Sequence, residues 1–521
     1  MSRSRFLATT TGVVVIMAAI PLLFVFVSSS QLTVSEWEGL WSTRLPGLLW
    51  NTMFLGALVA IGCLILGVTS AWYIARRDFA GKKVAIWLMV LPLAIPTYVF
   101  VYIYTSLFDE GGWIFNLWQR VFGELVPVPD LYNAGGAAFV LSLSGFSYVF
   151  LLVRAALMRS NRRLEEAARI QGATKQEVFW RINMPLIRPA VAAGLAVVTL
   201  HVLSDFGAVS MLRYQTFTLS IYLQMSGRLD YQGAAGLSLV LVMLGLAFLV
   251  AERFFRSRQR YYAGAQSPIL RPRQATSREQ IIIWSWLGLV SLFAFVLPLC
   301  WMLSWSLEAW QQELLNREFW HYVQNSLLLA FIAASIAICV ALPIGLFHAR
   351  VGSLLSNVFL QLSSVGFVLP GPVVALGVLT FVIAQWSWIY GGLAVLVFAL
   401  VVRFLPLAVQ SQEASLQQLT PSIEQSGRVL GAGPIENLWR VILPLIRGGM
   451  VNAWVLVFID VLKELPATLL LRPIGYDTLP VRIWIEASEE MLELAAPAAL
   501  MLVIGTLPAL WIMMRSERAP V

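Results

Sequence analysis

The sequence predicts an all-α protein that crosses a membrane about twelve times, built as two tandem copies of one domain. Three observations predict this. Of 521 residues, 59% are hydrophobic and only 12% are charged, far more apolar than a water-soluble chain of this length needs. Charge-free stretches long enough to cross a bilayer recur along it. Lipid cannot satisfy exposed backbone N–H and C=O groups, so such stretches are read as helices. Finally, one polar sequence occurs twice: EEAARIQGATKQEVFWRINMPLIRPAV from Glu165 and EQSGRVLGAGPIENLWRVILPLIRGGM from Glu424.

The N-terminal thirty residues have the basic start and apolar body of a signal sequence. They show no clear small-x-small cleavage site near their end and their apolar part is long, which reads as a retained first span. Leu45–Ala75, Val84–Phe108 and Leu131–Val153 follow as apolar runs, with Pro92 and Pro96 inside the second. A polar loop at about 159–185, a further span and the run Tyr231–Ala251 complete a first domain, 1–252. Residues 253–280 are rich in Arg, contain Ser, Pro and Gly with little apolar periodicity, and read as a linker. The second domain, 281–521, repeats the order. Its runs include Phe319–Ala349, then Val351–Val402, which is long enough for two spans and carries Pro370 and Pro372. A polar loop at about 413–444 and the run Leu494–Met514 follow. Proline kinks of this kind suit a cavity wall or hinge, and equally a packing feature.

The repeat is aligned by two offsets. Asn51-Thr52 stands 274 positions before Asn325-Ser326, and the same offset pairs Arg76 with Arg350 and Ile95-Pro96 with Leu369-Pro370. The loops are 259 positions apart, pairing Gly172 with Gly431, Trp180 with Trp439, Pro185 with Pro444 and Arg213 with Arg472. Beyond them Thr218-Leu219 is matched to Thr478-Leu479 after a one-residue insertion.

The net charge of +8 is no nucleic-acid signal, because the basic residues gather at alternate span ends: Arg76, Arg77, Lys82 and Lys83; Arg159, Arg162 and Arg163; Arg253 to Arg260; Arg515 and Arg518. The other connections carry acids such as Glu36, Asp109, Asp230, Glu308 and Glu489. This positive-inside pattern places both termini and both polar loops in the cytoplasm. The halves are then parallel repeats about an axis along the membrane normal. Cys63, Cys300 and Cys339 fit neither a metal site nor a disulfide framework and read as small core residues. His201, His321 and His348 read as structural. A phosphate-cradling G-x-x-x-x-G-K-[ST] loop is missing from the sequence, so energy must come from a partner.

Each polar loop reads as a short helix, a glycine turn and a second short helix. Glu165, Glu166 and Arg169 lie on the first, Gly172 caps it, and Val178, Phe179, Trp180 and Ile182 form the apolar side of the second. Pro185 and Pro444 are expected to end it. Such a surface suits a groove in a soluble partner; one such loop alone could equally lie on lipid headgroups, but two at matched positions favour the partner.

Glu166-Ala167-Ala168, three residues, Gly172, nine residues, Ile182, one residue, Met184-Pro185 resembles the EAA loop of ABC importer permeases, with Met184 in place of Leu. The second copy is degenerate at its start, with Gln425-Ser426-Gly427, but keeps Gly431 and Leu443-Pro444. An acid, Glu424, stands one place earlier. The resemblance implies a MetI-like fold in each half. It implies that Glu165, Glu166, Ala167, Ala168, Gly172 and Pro185, with Glu424, Gln425, Gly427, Gly431 and Pro444, dock on two copies of an ATPase subunit. It further implies a bacterial plasma membrane location and a soluble solute-binding protein on the far side. ATP and magnesium would be bound by the ATPase; none is expected in this chain.

The strings after the loops, Asp205-Phe206-Gly207-Ala208-Val209 and Lys463-Glu464-Leu465-Pro466-Ala467, resemble the ferric-iron branch of that family. Thiamine, sulfate, molybdate and polyamine permeases are close alternatives, and an ion-gradient-driven carrier is the reading from another class. Asp205 and Glu464 occupy equivalent places at the outer ends of equivalent spans. Lys463 adjoins Glu464, and Arg213 matches Arg472. These five residues are read either as a polar gate along the path or as bonded pairs that hold helix ends together. The outer loops 109–130 and 308–318 are expected to help dock the binding protein.

Overall fold

The computed structural model describes residues 2–159, 162–257, 273–364, 366, 369–417, 419–429 and 431–516. Residues 258–272, the middle of the expected linker, lie outside them. The helices follow the apolar runs. The first run forms α1 (Ser2–Ser29), followed by the short α2 (Val34–Thr43) and the long α3 (Leu45–Arg76). A two-residue strand, β1 (Arg77–Asp78), leads to α4 (Lys82–Val90) and α5 (Thr97–Phe108). These two helices meet at 95°, because Pro92 sits in a tight turn and Pro96 holds extended backbone ahead of α5, leaving no donor to continue the ladder. Next come α6 (Trp113–Phe122), α7 (Ala134–Arg159), α8 (Arg162–Ile170), α9 (Lys175–Val178) and α10 (Met184–Ser204). The short α11 (Gly207–Met211) and α12 (Phe217–Ser226) precede α13 (Tyr231–Ser257).

The second half opens with β2 (Arg273–Gln274), which pairs in parallel with β1. It continues with α14 (Ser277–Ser291), α15 (Leu297–Gln311) and α16 (Arg317–Val351). Two shorter helices, α17 (Leu354–Ser363) and α18 (Gly371–Gln385), precede α19 (Leu393–Gln417). The polar stretch forms α20 (Pro421–Val429) and α21 (Pro434–Asn437). The chain then runs through α22 (Leu443–Leu462), α23 (Pro466–Leu471), α24 (Leu479–Ser488) and α25 (Leu492–Ser516).

Among the described residues, ten helices are long and apolar enough to cross a membrane, or eleven with the bent α4–α5 pair as one span. The count of twelve differs at 351–402, where two full spans were expected. There α17 and α18 are short, and Pro370 caps α18 in the same extended conformation as Pro96 caps α5. The protein is a polytopic all-α membrane protein. Only Cys63 is a core cysteine; Cys300 and Cys339, expected in the core, are exposed on apolar helices.

The chain folds into two compact units that cut across the sequence halves. The loop-1 unit contains Ser42–Leu219 and Leu241–Trp305; the loop-2 unit contains Met1–Trp41, Ser220–Val240 and Ser306–Val521. In the loop-1 unit α3 lies along α7, and the second-half helices return to it. Trp286 Nε1 donates to Ser70 at 3.2 Å and the Tyr104 hydroxyl to the Phe293 carbonyl at 2.5 Å. In the loop-2 unit α1 packs on α16, α17 and α18. Thr11 donates to the Pro343 carbonyl at 3.1 Å, and Phe24 meets Phe381 edge-on at 5.2 Å. Leu346, Leu416, Ile442 and Ile446 form a buried cluster at the root of the second polar loop.

Candidate functional site: the paired polar loops

Loop 1 is the expected helix–turn–helix. The turn after α8 is made at Gly172, whose φ of +90° lies in the region that glycine occupies without strain. The Ala173 N–H donates back to the Ala168 carbonyl at 3.0 Å, the longer bond of a Schellman cap. Thr174 and Glu177 then form a reciprocal cap on α9: the Thr174 N–H reaches the Glu177 carboxylate at 2.9 Å and the Glu177 N–H reaches the Thr174 hydroxyl at 3.3 Å. Loop 2 repeats the turn with Gly431 at φ +89° and the Ala432 N–H on the Gly427 carbonyl at 3.1 Å. Gly433 and Pro434 replace the reciprocal cap there, proline being favoured where a helix begins.

Contrary to the expectation from sequence, Pro185 and Pro444 do not end the second helix. α9 runs through a π turn, Phe179–Asn183, straight into α10; α21 does the same through Leu438–Ile442 into α22. The wider turn lets Met184 N–H bond Phe179 and Leu443 N–H bond Leu438. Each proline then sits in the first turn of the span, where its missing donor costs little. Each loop is therefore continuous with the span behind it.

The sequence placed Val178, Phe179, Trp180 and Ile182 on one side, which the structure divides. Val178 is buried and Phe179 packs edge-on against Trp72 at 5.1 Å, but Trp180 points outward, 64% exposed. Trp439 matches it at 66%, and the last residues of the first helices, Ile170 and Val429, are 87% and 86% exposed. Glu177–Arg181 and Glu436–Arg440 are matching surface pairs at 3.9 and 2.8 Å. The outer surfaces of the two loops thus carry the same chemistry, although the E-A-A positions do not.

The roots of the loops explain the difference. Glu165 faces inward: its carboxylate meets Arg76 at 2.5 Å, and both side chains are largely buried. Arg76 also donates to Asn183 at 2.9 Å and lies over the Trp72 ring, 5.4 Å from its centroid. One arginine at the end of α3 therefore ties down both ends of loop 1. In loop 2, Gly427 stands where Ala168 does and Asn437 where Val178 does. An added methyl at Gly427 would lie 2.5 Å from the Asn437 Oδ1, so the departure from E-A-A makes room for a buried asparagine. Gln425 is exposed, and Arg350 donates to the Leu419 carbonyl at 3.3 Å. The side chains of Glu166 and Glu424 lie outside the described residues.

At the opposite ends of α10 and α22 the duplicated acids act as helix caps. Asp205 accepts from the Ala208 and Val209 N–H groups at 3.0 and 3.3 Å and from the Thr97 hydroxyl at 2.5 Å. Glu464 accepts from the Ala467 N–H at 3.1 Å and pairs with Arg403. Lys463 turns instead to Asp460 at 3.9 Å. Arg472 pairs with Asp477, whereas Arg213, with φ +53°, is exposed. Sequence reading missed a duplicated clamp. Asn51 donates to the Gln215 carbonyl at 3.0 Å and receives the Tyr214 hydroxyl at its own carbonyl at 3.4 Å. Asn325 does the same with Asp477 and Tyr476, both at 3.0 Å. Burial raises the pKa of both phenols. The clamp pairs Tyr214 with Tyr476 and the start of α12 with that of α24, so the insertion here is Pro473-Ile474-Gly475, three residues rather than one.

The family described as Binding-protein-dependent transport system inner membrane component matches residues 63–261 and again 341–519. The chain is 30% identical to the Fe(3+)-transport system permease protein FbpB 2 of Haemophilus influenzae, across 93% of either chain. It is 23% identical to the Ferric transport system permease protein FbpB of Actinobacillus pleuropneumoniae, across 81% of this chain and 64% of that one. It is 26% identical to the Sulfate transport system permease protein CysT of Escherichia coli, across 48% of this chain and 91% of that one.

Proposed function

Because the chain belongs to the binding-protein-dependent transport system inner membrane components, we propose that it imports ferric iron, driven by two ATPase subunits docked on its paired polar loops. The chain is a multi-pass permease carrying the permease domain twice. In our reading both loops face the cytoplasm, a soluble binding protein delivers the cargo on the far side, and ATP is bound and hydrolysed by the partner alone. An ion-gradient carrier would have no use for two such loops.

The observation that carries the coupling reading is the unbroken helix from each loop into a span. A short helix fixed at its root by Arg76, or by the apolar cluster around Ile442, cannot swivel independently of the membrane part. A partner that grips Ile170 and Trp180, or Val429 and Trp439, moves α10 or α22 as a rigid body. Exposed Ile, Val and Trp knobs beside Glu–Arg pairs suit an apolar groove with a polar rim.

Ferric iron is supported by the relative that matches along almost the whole of both chains; the sulfate permease matches about half of this one. The test is to purify the chain with its ATPase in liposomes and add candidate binding proteins. Stimulation of ATP hydrolysis by a binding protein whose ligand, by metal analysis, is iron supports the assignment. Stimulation only by a sulfate-loaded protein replaces it, and transport without any associated ATPase removes the importer reading.

A further inference from the structure

The two repeats carry different residues along the outer half of the span behind each loop. On α22 and its C-cap, Asn452, Leu456, Asp460 and Lys463 fall within about 80° of one another at 3.6 residues per turn, and all four are partly exposed. At the matching positions α10 carries Ala193, Val197, His201 and Ser204. The second repeat alone therefore carries an acid and a lysine on this face.

Its neighbourhood is equally asymmetric. In the first repeat the capping acid Asp205 is held by the hydroxyl of Thr97. In the second, Gly371 replaces Thr97 and Arg403 replaces Ser144, and the Arg403 guanidinium fills the space to reach Glu464. That pair is deeply buried and already used, since Glu464 caps α23. Asp460 is different. Its side chain remains 37% exposed, and its nearest cation, Lys463, is 3.9 Å away, beyond a direct hydrogen bond. A part-exposed carboxylate on a membrane span is strongly disfavoured against lipid and is found where water reaches it.

We propose that this face of α22 is wetted by the translocation path, and that Asp460 is the carboxylate a hydrated multivalent cation meets there, displacing Lys463 as its counter-charge. A multivalent ion outcompetes a single ammonium for one carboxylate because Coulomb energy scales with charge. The wetted face deepens the importer reading and rests on it for direction and cargo.

The experiment uses the full complex in liposomes, with Cys63, Cys300 and Cys339 replaced by serine or alanine. Asn452→Cys, Asp460→Cys and Lys463→Cys are exposed to a cationic methanethiosulfonate, with Val451→Cys, on an apolar stretch of the same helix, as reference. The positions on this face are expected to react at least about tenfold faster than the reference; equal, slow reaction at all four overturns the lining whatever the cargo is. Radioactive iron moved per ATP hydrolysed is then compared between the parent complex, Asp460→Asn and Asp460→Glu. We expect a loss of about tenfold in the first variant and recovery in the second. A parent complex that moves no iron but stimulates with another solute defeats the cargo assignment alone. A parent that moves iron, with Asp460→Asn moving it equally well, overturns the role of Asp460.

Discussion

At the residue scale the most consequential side chain is one that local pattern could not identify. Glu165 is the first acid of a motif and reads as a docking group, yet it is bound to Arg76, 89 positions earlier. Periodicity within a loop does not report such a distant partner. Removing Arg76 would leave the largely buried Glu165 carboxylate without its counter-charge. Arg76→Ala should cost about 3 kcal/mol, the low end for breaking a buried pair. The thermal midpoint of the detergent-solubilised protein checks this, with the exposed Arg169→Ala as a variant expected to leave it unmoved. A second residue prediction concerns two glycines. At Gly371 a methyl would run into Arg403 and Glu464, whereas at Gly448, inside α22, it meets nothing within 4 Å. Gly371→Ala should therefore destabilise by about 1–3 kcal/mol. Gly448→Ala should be neutral or stabilising by up to about 1 kcal/mol, since alanine is the better helix former.

At the scale of elements, the repeat, its polar loops and the proline breaks were legible, because charge-free length, glycine turns and prolines are local signals. The π turns were not. A proline in a helix-forming stretch reads as a stop, and only the tertiary need to keep the span continuous shows that one extra residue per turn absorbs it. The E-A-A letters likewise overstate the difference between the loops, because they report on how each helix is rooted. The conserved chemistry of the two copies lies in Ile170 and Val429, Trp180 and Trp439. Ile170→Asp or Val429→Asp alone should weaken retention of the ATPase about tenfold or more, the loss expected from one interface anchor. The double variant should abolish it, measured by co-purification from washed membranes. If the second loop is idle, Val429→Asp will retain the partner at parental levels and only Ile170→Asp will lose it. Gly172→Ala and Gly431→Ala test the turns separately. Each forces a side chain into the left-handed region at about 1–2 kcal/mol, and equal effects in both copies are expected.

At the scale of the whole molecule, the sequence halves and the folded units are different objects. Internal similarity divides the chain near the linker, because it records ancestry of segments. Packing is decided by which apolar faces cover each other, and those choices exchange helices: α1 belongs with α16–α18, and α14 with α15 as far as Trp305 belongs with α3–α5. Nothing in the periodicity of α1 announces this, since a span apolar all round can cover any neighbour. The exchange has a consequence for folding. A chain of residues 273–521 lacks α1, leaving the faces that carry Pro343 and Phe381 bare, and a chain of residues 1–260 lacks the helices that bring Trp286 and Phe293 to Ser70 and Tyr104. Expressed alone, neither half should accumulate as a monodisperse protein, whereas the two co-expressed as separate chains should recover the assembly, because the linker contributes connection and the exchanged helices contribute cover. Size-exclusion profiles of the three preparations decide it: a well-behaved 273–521 fragment on its own would mean that α1 is dispensable to the unit it packs in.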